Sequence, residues 1–418
     1  MPGKIADRQT LMLFDLSVYG HHATYIQYLI RYWQQEQIEH KLVIVVSPRF
    51  LSIHHDVVEL ANVGAQGDIR FVAITEAEEA QLPSRRSSLN RNLRNWSEWQ
   101  LHCRYAKNLE VTQSLIMYID TYQLLLAFGQ SSPCPFSGIY FRPTFHYSEL
   151  GNPPTGFKAR VQRQWEYFSI MRVLQNPQLQ QLFSLDSFAV DYLKKRDPQA
   201  KISQLADPVE VTIPATLDTA HFKQTLGIES HRKVGILMGA LTRRKGIYPL
   251  LNAIKELSPE QCEQFCLLLV GAASPTEMEK IKLVVADVLD SCPVQIISRY
   301  EFIPEEEIPT YFEISDFALA LYQRHVGMSG IILLAAAAQK PVLSTNYGLM
   351  GKLVNQYRLG MTVDSANSKE ISYALTQLLT SDITSTYDET LMMKFSEKNA
   401  WQNFSKTLLS LLQPSAAL

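Results

Sequence analysis

The chain has 418 residues, of which 46% are hydrophobic and 19% are charged, and its formal net charge is −2. This length exceeds what one compact core usually accommodates, so we expect two domains. The composition excludes a disordered chain, and the nearly balanced charge gives no reason to expect nucleic acid as a partner.

Five cysteines, an odd number in a long chain, favour free thiols in a reducing compartment. Cys262 and Cys266 could be metal ligands, but no second Cys/His pair lies nearby, so we expect thiols and no metal site. The first ten residues show no signal peptide, and no apolar run reaches the roughly 18 residues of a membrane span. We therefore expect a cytoplasmic protein, with the membrane surface as a further location.

The N-terminal half alternates apolar runs with helix-period segments. Tyr25, Tyr28, Leu29, Tyr32 and Trp33 share one face of a helix that follows the first strand. Such βαβ alternation predicts a parallel, doubly wound sheet. Strands are predicted at residues 11–16, 42–46, 69–73, 115–119 and 138–141.

The C-terminal half repeats this pattern more clearly. A Pro-punctuated segment, residues 206–214, predicts the boundary between a first domain, 1–212, and a second, 213–385. Two α/β domains in tandem suggest a ligand cleft between them. Strands of the second domain are predicted at residues 233–238, 266–270, 294–297, 317–322 and 341–344.

A glycine-containing turn follows the strand 317–322 and precedes an Ala-rich helix. It contains Gly327, Met328, Ser329 and Gly330, and Arg324 and His325 lie just before it. Unpaired backbone N–H groups and the positive end of the helix dipole suit a phosphate there. The alternative is an ordinary tight connection between a strand and a helix.

A basic loop, residues 239–246, follows the strand 233–238. Arg243, Arg244 and Lys245 stand there between a strand end and a helix start. Open α/β sheets bind ligands at this edge, and these side chains pair well with phosphate oxygens. The alternative is a solvated basic turn.

Histidines follow two predicted strands of the first half. Gly20, His21 and His22 occupy the first strand–helix turn, where the histidines could be acid/base groups, ligands or helix-start residues. Arg142 and His146 follow a later strand. For both sets, a structural role is the alternative to a functional one.

A basic segment with tryptophans could form a helix that binds a membrane surface or an acceptor. The alternative is a solvated helix face with both tryptophans packed inward. Its residues are Arg85, Arg86, Arg91, Arg94, Trp96, Trp99, Arg104 and Lys107.

Taken in order and spacing, several segments resemble the nucleotide-sugar domain of the GT-B retaining glycosyltransferases called family 4 or group 1. The resemblance covers residues 233–379, and it is looser in the N-terminal half, at Gly20, His146 and 206–210. The segments that carry it are 233–246, 266–271, 303–316, 334–342 and 347–360.

Apart from the family's glycine, which the segment 334–342 lacks, three positions depart from the family pattern. The arginine of the family's Gly-Arg-Leu loop is Ala240 here, and its two glutamates, eight positions apart, fall on Val326 and Leu334. One of those glutamates usually contacts the donor sugar or the ribose. Lys245 of the family's loop is retained, and Arg243 or Arg244 could replace the missing arginine.

The resemblance implies an α/β protein with the GT-B fold: two Rossmann-like, doubly wound domains with an interdomain cleft. Residues 1–212 would bind the acceptor, residues 213–385 would bind the nucleotide sugar, and a C-terminal helix within 386–418 would pack back on the first domain.

The activity that it implies is transfer of a hexose from a UDP- or GDP-sugar with retention of configuration, without a cofactor or a metal. The acceptor stays open between a lipid, a glycan, a small metabolite and a protein. The alternative is a non-catalytic GT-B-like protein that binds a sugar nucleotide or a partner, which the three departures favour.

The expected roles of the site residues follow from the motifs and the resemblance together. The catalytic residues are His146 and Lys245, and the acceptor-binding residues are His21, His22 and Arg142. The donor-binding residues are Gly20, Arg243, Arg244, Lys245, Arg324, His325, Gly327, Met328, Ser329 and Gly330.

Overall fold

A computed structural model of the protein describes residues 8–62, 68–150, 156–210, 218–380 and 383–412. The chain forms two compact units. Unit 1 comprises Met1–His146, Pro154–Pro208 and Trp401–Leu418, and unit 2 comprises Tyr147–Pro153 and Val209–Ala400.

These limits differ in detail from the predicted domains. The predicted boundary between Thr212 and Ile213 lies outside the described residues, and the two units divide at Pro208. Of the predicted C-terminal segment, the helix Glu389–Lys398 belongs to unit 2, and the part that belongs to unit 1 starts at Trp401.

Unit 1 contains a seven-stranded parallel sheet in the order β3-β2-β1-β4-β5-β6-β7. Its central strands are apolar and buried because helices cover both faces of the sheet. The strands are β1 (Thr10–Phe14), β2 (Lys41–Val46), β3 (Asp68–Ala73), β4 (Gln113–Ile116), β5 (Phe136–Tyr140), β6 (Leu179–Ser184) and β7 (Ile202–Gln204).

Two apolar layers cover this sheet. One includes residues of α1 and the C-terminal helix α18, where Trp401 stacks on Tyr28 and Phe404 contacts Tyr25. The other includes residues of α5, α6, α7 and α8. The helices of unit 1 are α1 (His22–Gln35), α2 (Pro48–Ile53), α3 (His55–Leu60), α4 (Glu76–Gln81), α5 (Ser88–Asn108), α6 (Gln123–Ala127), α7 (Phe157–Leu174), α8 (Ser187–Arg196) and α18 (Trp401–Leu409).

Unit 2 contains a six-stranded parallel sheet in the order β10-β9-β8-β11-β12-β13. β9 is buried along its whole length, as is usual for a strand inside a parallel sheet. The strands are β8 (Lys233–Met238), β9 (Phe265–Val270), β10 (Gln295–Arg299), β11 (Phe317–Ala320), β12 (Val342–Thr345) and β13 (Gly360–Val363).

The helices of unit 2 connect these strands in the expected alternation. Ser274 caps α12 by accepting a hydrogen bond from the Glu277 amide, as the sequence Ser-Pro-x-Glu predicts. The helices are α9 (Thr219–Thr225), α10 (Ile247–Ile254), α11 (Pro259–Glu263), α12 (Pro275–Leu289), α13 (Ile308–Glu313), α14 (Gly330–Ala337), α15 (Gly348–Gln356), α16 (Ser368–Thr380) and α17 (Glu389–Lys398).

Three strands were not predicted from the sequence. β6 contains two glutamines, β7 has only three residues, and β13 starts with a glycine, so none of them has a strong strand pattern. Pairing with a neighbouring strand stabilises each of them.

In both sheets the strand order reverses after the first strand of the unit. This switch lies between β1 and β4 in unit 1 and between β8 and β11 in unit 2. Parallel α/β sheets bind ligands outside the carboxyl ends of the strands at such a point. A ligand site is therefore expected at the loops after these four strands.

In the part of the chain that the structure describes, no helix is both long enough and apolar enough to cross a membrane.

Candidate functional site

At the switch point of unit 2, the loops after β8 and β11 touch each other. Gly246 has a φ of +78°, and a Cβ atom there would lie 2.1 Å from the Leu321 carbonyl oxygen. The Gln323 amide donates a hydrogen bond to the Arg244 carbonyl, at 2.8 Å. Only glycine fits at position 246, so the Lys245-Gly246 pair seen in the sequence lets the basic loop 239–246 approach β11.

Lys245 lies inside this junction, with 5% of its surface exposed. Its Nζ atom donates hydrogen bonds to the Met238 carbonyl, at 2.7 Å, and to the Tyr322 hydroxyl. Burial lowers the pKa of Lys245, and the adjacent Tyr322 hydroxyl opposes that shift. The ammonium group is therefore held at a fixed position by two partners.

Tyr322 connects the basic loop to the glycine turn, residues 327–330. Its hydroxyl is hydrogen-bonded to Ser329 Oγ at 2.8 Å as well as to Lys245. Ser329 is the N-cap of α14 and accepts a hydrogen bond from the Ile331 amide, at 3.3 Å. The cation and the start of the helix are thus linked through one phenol.

Arg244 and His325 form a second contact between the loops. A guanidinium group only donates hydrogen bonds, so the Arg244 Nη1 atom donates to His325 Nδ1, at 3.0 Å. His325 Nε2 then carries the proton and faces the Met328 carbonyl at 3.1 Å. This places a neutral histidine beside an exposed arginine.

One backbone amide of the glycine turn is already hydrogen-bonded to another residue of the protein. The Gly327 amide donates to the Tyr147 hydroxyl at 2.9 Å, and Gly327 has a φ of +95°. Gly330, the first residue of α14, is exposed, and a Cβ atom there would meet nothing within 4 Å. Gly330 is therefore the open end of the turn.

The structure thus brings together most of the predicted donor residues of unit 2. Arg244, Lys245, His325, Met328 and Ser329 are joined by the contacts above, whereas Arg243 and Arg324 are exposed at the margin of the junction. The sequence analysis missed Tyr322 and Tyr147. An aromatic residue with a polar end, at the carboxyl end of a buried predicted strand, was the signal for Tyr322.

The switch point of unit 1 contains a histidine–carboxylate pair. Asp15 directly follows β1 and is buried, and its Oδ2 atom lies 2.6 Å from Nδ1 of His22, the first residue of α1. Asp15 Oδ1 accepts a hydrogen bond from the Ser17 amide, at 2.9 Å. A carboxylate only accepts, so His22 Nδ1 donates this hydrogen bond, and Nε2 is the other polar atom of the ring.

His21 lies on an aromatic layer beside this pair. Its ring stacks on His22 at 5.3 Å and also contacts Tyr25 and Phe141. Loss of solvation and the adjacent His22 lower the pKa of His21 to about 4. His21 is therefore neutral near neutral pH. Gly20 before it has a φ of +88° and is exposed.

Asp120 holds the loop after β5 against the loop after β4. Its carboxylate accepts hydrogen bonds from the Phe141 and Arg142 amides, at 2.9 and 3.0 Å. Burial raises the pKa of Asp120 to about 6 even though these bonds favour the charged form. The side chain of Arg142 is exposed at this edge. The sequence analysis missed both Asp15 and Asp120, each an acidic residue just beyond a buried strand.

His146 lies deeper in unit 1 than the other predicted residues. It is 1% exposed, and its Nε2 atom is 3.0 Å from Asp186 Oδ2. Asp186 also caps α8 through the Ala189 amide. In this conformation the ring is enclosed, so its catalytic role stays a prediction.

The predicted basic segment, which consists of Arg85 and Arg86 followed by the helix α5, uses several of its charges within unit 1. Arg85 and Arg94 pair with the buried Glu98, and Arg104 pairs with Glu78. Trp99 is fully buried, as expected for an inward-facing residue, whereas Trp96 is half exposed.

Residues 232–381 match the family described as glycosyl transferases group 1. This segment lies in unit 2 and contains the basic loop and the glycine turn. The D-inositol 3-phosphate glycosyltransferase of Corynebacterium jeikeium is 28% identical over 170 residues, which are 39% of this chain and 39% of that protein. The matched part thus spans about two fifths of the curated relative.

Solved structures match over nearly the whole chain. A glycosyltransferase from Rickettsia africae has a TM-score of 0.65 and 14% identity and covers 97% of this chain and 98% of its own. Anabaena HepE, in complex with UDP and glucose, has a TM-score of 0.64 and 13% identity and covers 97% and 99%. At these identities the likeness concerns the fold. The predicted α/β fold class is confirmed: the chain has the GT-B fold, and residues 232–381 are similar to the group 1 glycosyl transferases.

Proposed function

We propose that the protein is a glycosyltransferase that moves a hexose from a UDP- or GDP-sugar to an acceptor, with retention of configuration. The observation that carries the proposal is the junction of Arg244, Lys245 and the Ser329 cap at the switch point of unit 2. The similarity of residues 232–381 to group 1 glycosyl transferases supports it, as does the shared fold with HepE in its UDP complex.

The diphosphate of the donor would bind at the open end of the glycine turn. Gly330 offers exposed backbone at the start of α14, where the helix dipole favours an anion. Arg244 is exposed beside His325, and Arg243 and Arg324 add positive charge at the margin. Lys245 would stabilise the negative charge that develops on the leaving diphosphate.

The contacts of Lys245 and Gly327 within the protein suit this role. Tyr322 and Tyr147 hold the ammonium group and the turn in place before a ligand arrives. A preorganised cation loses little further freedom on binding and therefore stabilises developing charge more effectively.

The acceptor would bind at the switch point of unit 1. His22, oriented by Asp15, would accept a hydrogen bond from an acceptor hydroxyl at Nε2, and His21 and Phe141 would offer a flat surface to a sugar or ring. Arg142 would contact a negatively charged acceptor group. Gly20, predicted from the resemblance to contact the donor, lies in this same turn.

We propose that catalysis needs no metal and no cofactor, because basic side chains and a helix dipole supply the positive charge. Within the described residues, no group of three or more His, Cys, Asp or Glu side chains is placed to hold a metal ion. Turnover should therefore persist in excess EDTA. Loss of turnover that Mg²⁺ or Mn²⁺ restores would contradict this part of the proposal.

A second candidate function is binding of a sugar nucleotide or a partner without catalysis. Val326 and Leu334 stand where the family has glutamates, and Ala240 stands where it has an arginine. Slow hydrolysis of the donor in the absence of acceptor distinguishes the two, because a transferase usually releases some free sugar and a binding protein releases none.

The direct test is calorimetric titration with UDP, GDP and ADP, followed by turnover of the sugar conjugate of the nucleotide that binds. We expect saturable binding of UDP or GDP and release of the sugar, with the released anomer identified by NMR. A folded protein that binds none of the three nucleotides would overturn the proposal, and binding without turnover would support the second candidate.

A further inference from the structure

The helix α7 is apolar on two opposite faces. Its C-terminal half packs into unit 1 through Ile170, Val173 and Leu174. Its other face exposes Phe157, Val161, Trp165 and Phe168, which recur every three or four residues and so form one stripe. A surface helix normally carries polar residues there.

Phe128, which directly follows α6, extends the stripe, and the exposed Leu124 lies one turn earlier in that helix. The Phe128 ring lies 6.2 Å from that of Trp165, which in turn lies 5.8 Å from Phe168. Phe157 and Phe128 are 82% and 68% exposed, and Trp165 and Phe168 about half exposed. The α6–α7 face therefore consists of Leu124, Phe128, Phe157, Val161, Trp165 and Phe168.

The charges beside this face are positive. Lys158 and Arg160 are exposed on either side of the stripe, and Arg172 is exposed near its end. Glu166, the one acidic residue of α7, points away: its carboxylate accepts a hydrogen bond from the Thr144 amide and contacts the Tyr140 hydroxyl. Exposed aromatic residues between cations are typical of helices that lie in the surface of an anionic bilayer.

We propose that the α6–α7 face docks unit 1 on an anionic lipid surface, with the aromatic side chains entering the headgroup region. The positive flanks favour anionic lipid over a neutral apolar partner, and several large aromatic residues exposed together otherwise favour aggregation. Docking is independent of the proposed sugar transfer and can be measured on the protein alone.

The test is co-sedimentation with vesicles of phosphatidylcholine and phosphatidylglycerol in equal amounts, against vesicles of phosphatidylcholine. We expect binding to the anionic vesicles that weakens in 1 M NaCl, where the Debye length is about 3 Å. The variant F157S/W165S/F168S should bind about tenfold less for each side chain lost. The variant K158Q/R160Q should lose about fivefold for each charge.

The matched control changes two equally exposed apolar residues of unit 2, L283S/F302S, which are 73% and 77% exposed in the native protein. It should bind as the native protein does. All these substitutions are on the surface, so circular dichroism should show unchanged folding. A native protein that fails to bind anionic vesicles at low salt, or an aromatic variant that binds as well as the control, would overturn the proposal.

Two further measurements separate lipid docking from self-association. In a W96F background, Trp165 is the remaining half-exposed tryptophan, since Trp33, Trp99 and Trp401 are buried. Its emission should shift to shorter wavelength with anionic vesicles. If no shift occurs, lipid docking is wrong. If sedimentation equilibrium shows a dimer that only the aromatic variant dissociates, a second copy covers this face and lipid docking is likewise wrong.

Discussion

The Nζ atom of Lys245 lies 4.4 Å from the centroid of the Tyr322 ring and also donates a hydrogen bond to its hydroxyl. One tyrosine therefore holds the cation from the face and from the edge of the ring. The same hydroxyl is bonded to the cap of α14. The two loops that were expected to bind phosphate meet at this phenol.

Replacing Lys245 by Met should weaken donor binding while preserving the fold. The thioether chain fills the space of the lysine stem, and burial of an ammonium group is itself unfavourable. We expect nucleotide affinity to fall by about tenfold to a hundredfold, equivalent to one charge-assisted hydrogen bond. Calorimetry with the nucleotide measures this, with the exposed Lys282→Met as the control.

The lowered pKa of Lys245 also predicts how stability depends on pH. Lysine is charged in the unfolded state up to its usual value of 10.5 but loses its proton earlier in the native state. Between the lowered native pKa and the unfolded pKa of 10.5, the native state therefore binds fewer protons than the unfolded state. The free energy of unfolding consequently rises with pH across that window. Urea denaturation of K245M should lack this rise. An identical pH dependence in both proteins would show that Lys245 is not desolvated.

Tyr322→Phe should remove the hydrogen bonds that link the two loops without creating a cavity in the core. It removes the hydroxyl that Lys245 and Ser329 share, so we expect a loss of about 1–3 kcal/mol in the free energy of unfolding. Nucleotide affinity should fall as well, because Lys245 is no longer held. Tyr311→Phe, at another buried tyrosine of unit 2, is the control for stability and for binding. Native affinity in Y322F would mean that the phenol does not position the cation.

Two glycines of the turn should respond to alanine in opposite ways. Gly327 has a φ of +95°, so G327A should lose about 1–2 kcal/mol of stability. Gly330 begins α14 in open space, so G330A should be as stable as the native protein or slightly more so. If a phosphate contacts the turn closely, G330A should nevertheless bind the nucleotide more weakly. Full affinity in a stable G330A variant would place the phosphate elsewhere.

These sites show which parts of the fold and of the candidate site could be predicted from the sequence. Strong alternation of strands and helices predicted the two parallel sheets, and the basic loop and glycine turn were recognisable because Gly, Ser and cations follow buried strands. Tyr322 and Asp15 were missed because each was counted as part of a predicted strand, 317–322 and 11–16. Their partners, Ser329 and His22, lie seven residues further along the chain, and only the folded turn brings them together.

The His22–Asp15 pair should control use of the acceptor and leave donor binding intact. His22→Ala removes the Nε2 acceptor, and Asp15→Asn weakens its orientation. We expect kcat/KM for the acceptor to fall by about tenfold to a hundredfold. Nucleotide affinity measured by calorimetry should stay unchanged, as it should in the control His55→Asn at an exposed histidine. Weaker nucleotide binding in H22A would contradict an acceptor role.

His102 should make unit 1 sensitive to acid. It is fully buried beside Trp99, its Nε2 atom lies 2.8 Å from Ser114 Oγ, and burial lowers its pKa to about 3. The unfolded chain gains a proton below about pH 6.5 and the native state does not, so the free energy of unfolding falls from about pH 6.5 to about pH 3, by at most about 1.4 kcal/mol per pH unit.

Asp120 and Asp207 act in the opposite direction. Burial raises the pKa of each to about 6, so the native state gains their protons first, and stability rises as the pH falls from about 6 to about 4.

The difference between the native protein and His102→Gln isolates the histidine, because the amide can still bond to Ser114. H102Q should lose less stability on acidification, as measured by urea denaturation between pH 7 and pH 4. Parallel curves for the two proteins would show that His102 does not govern the acid limb.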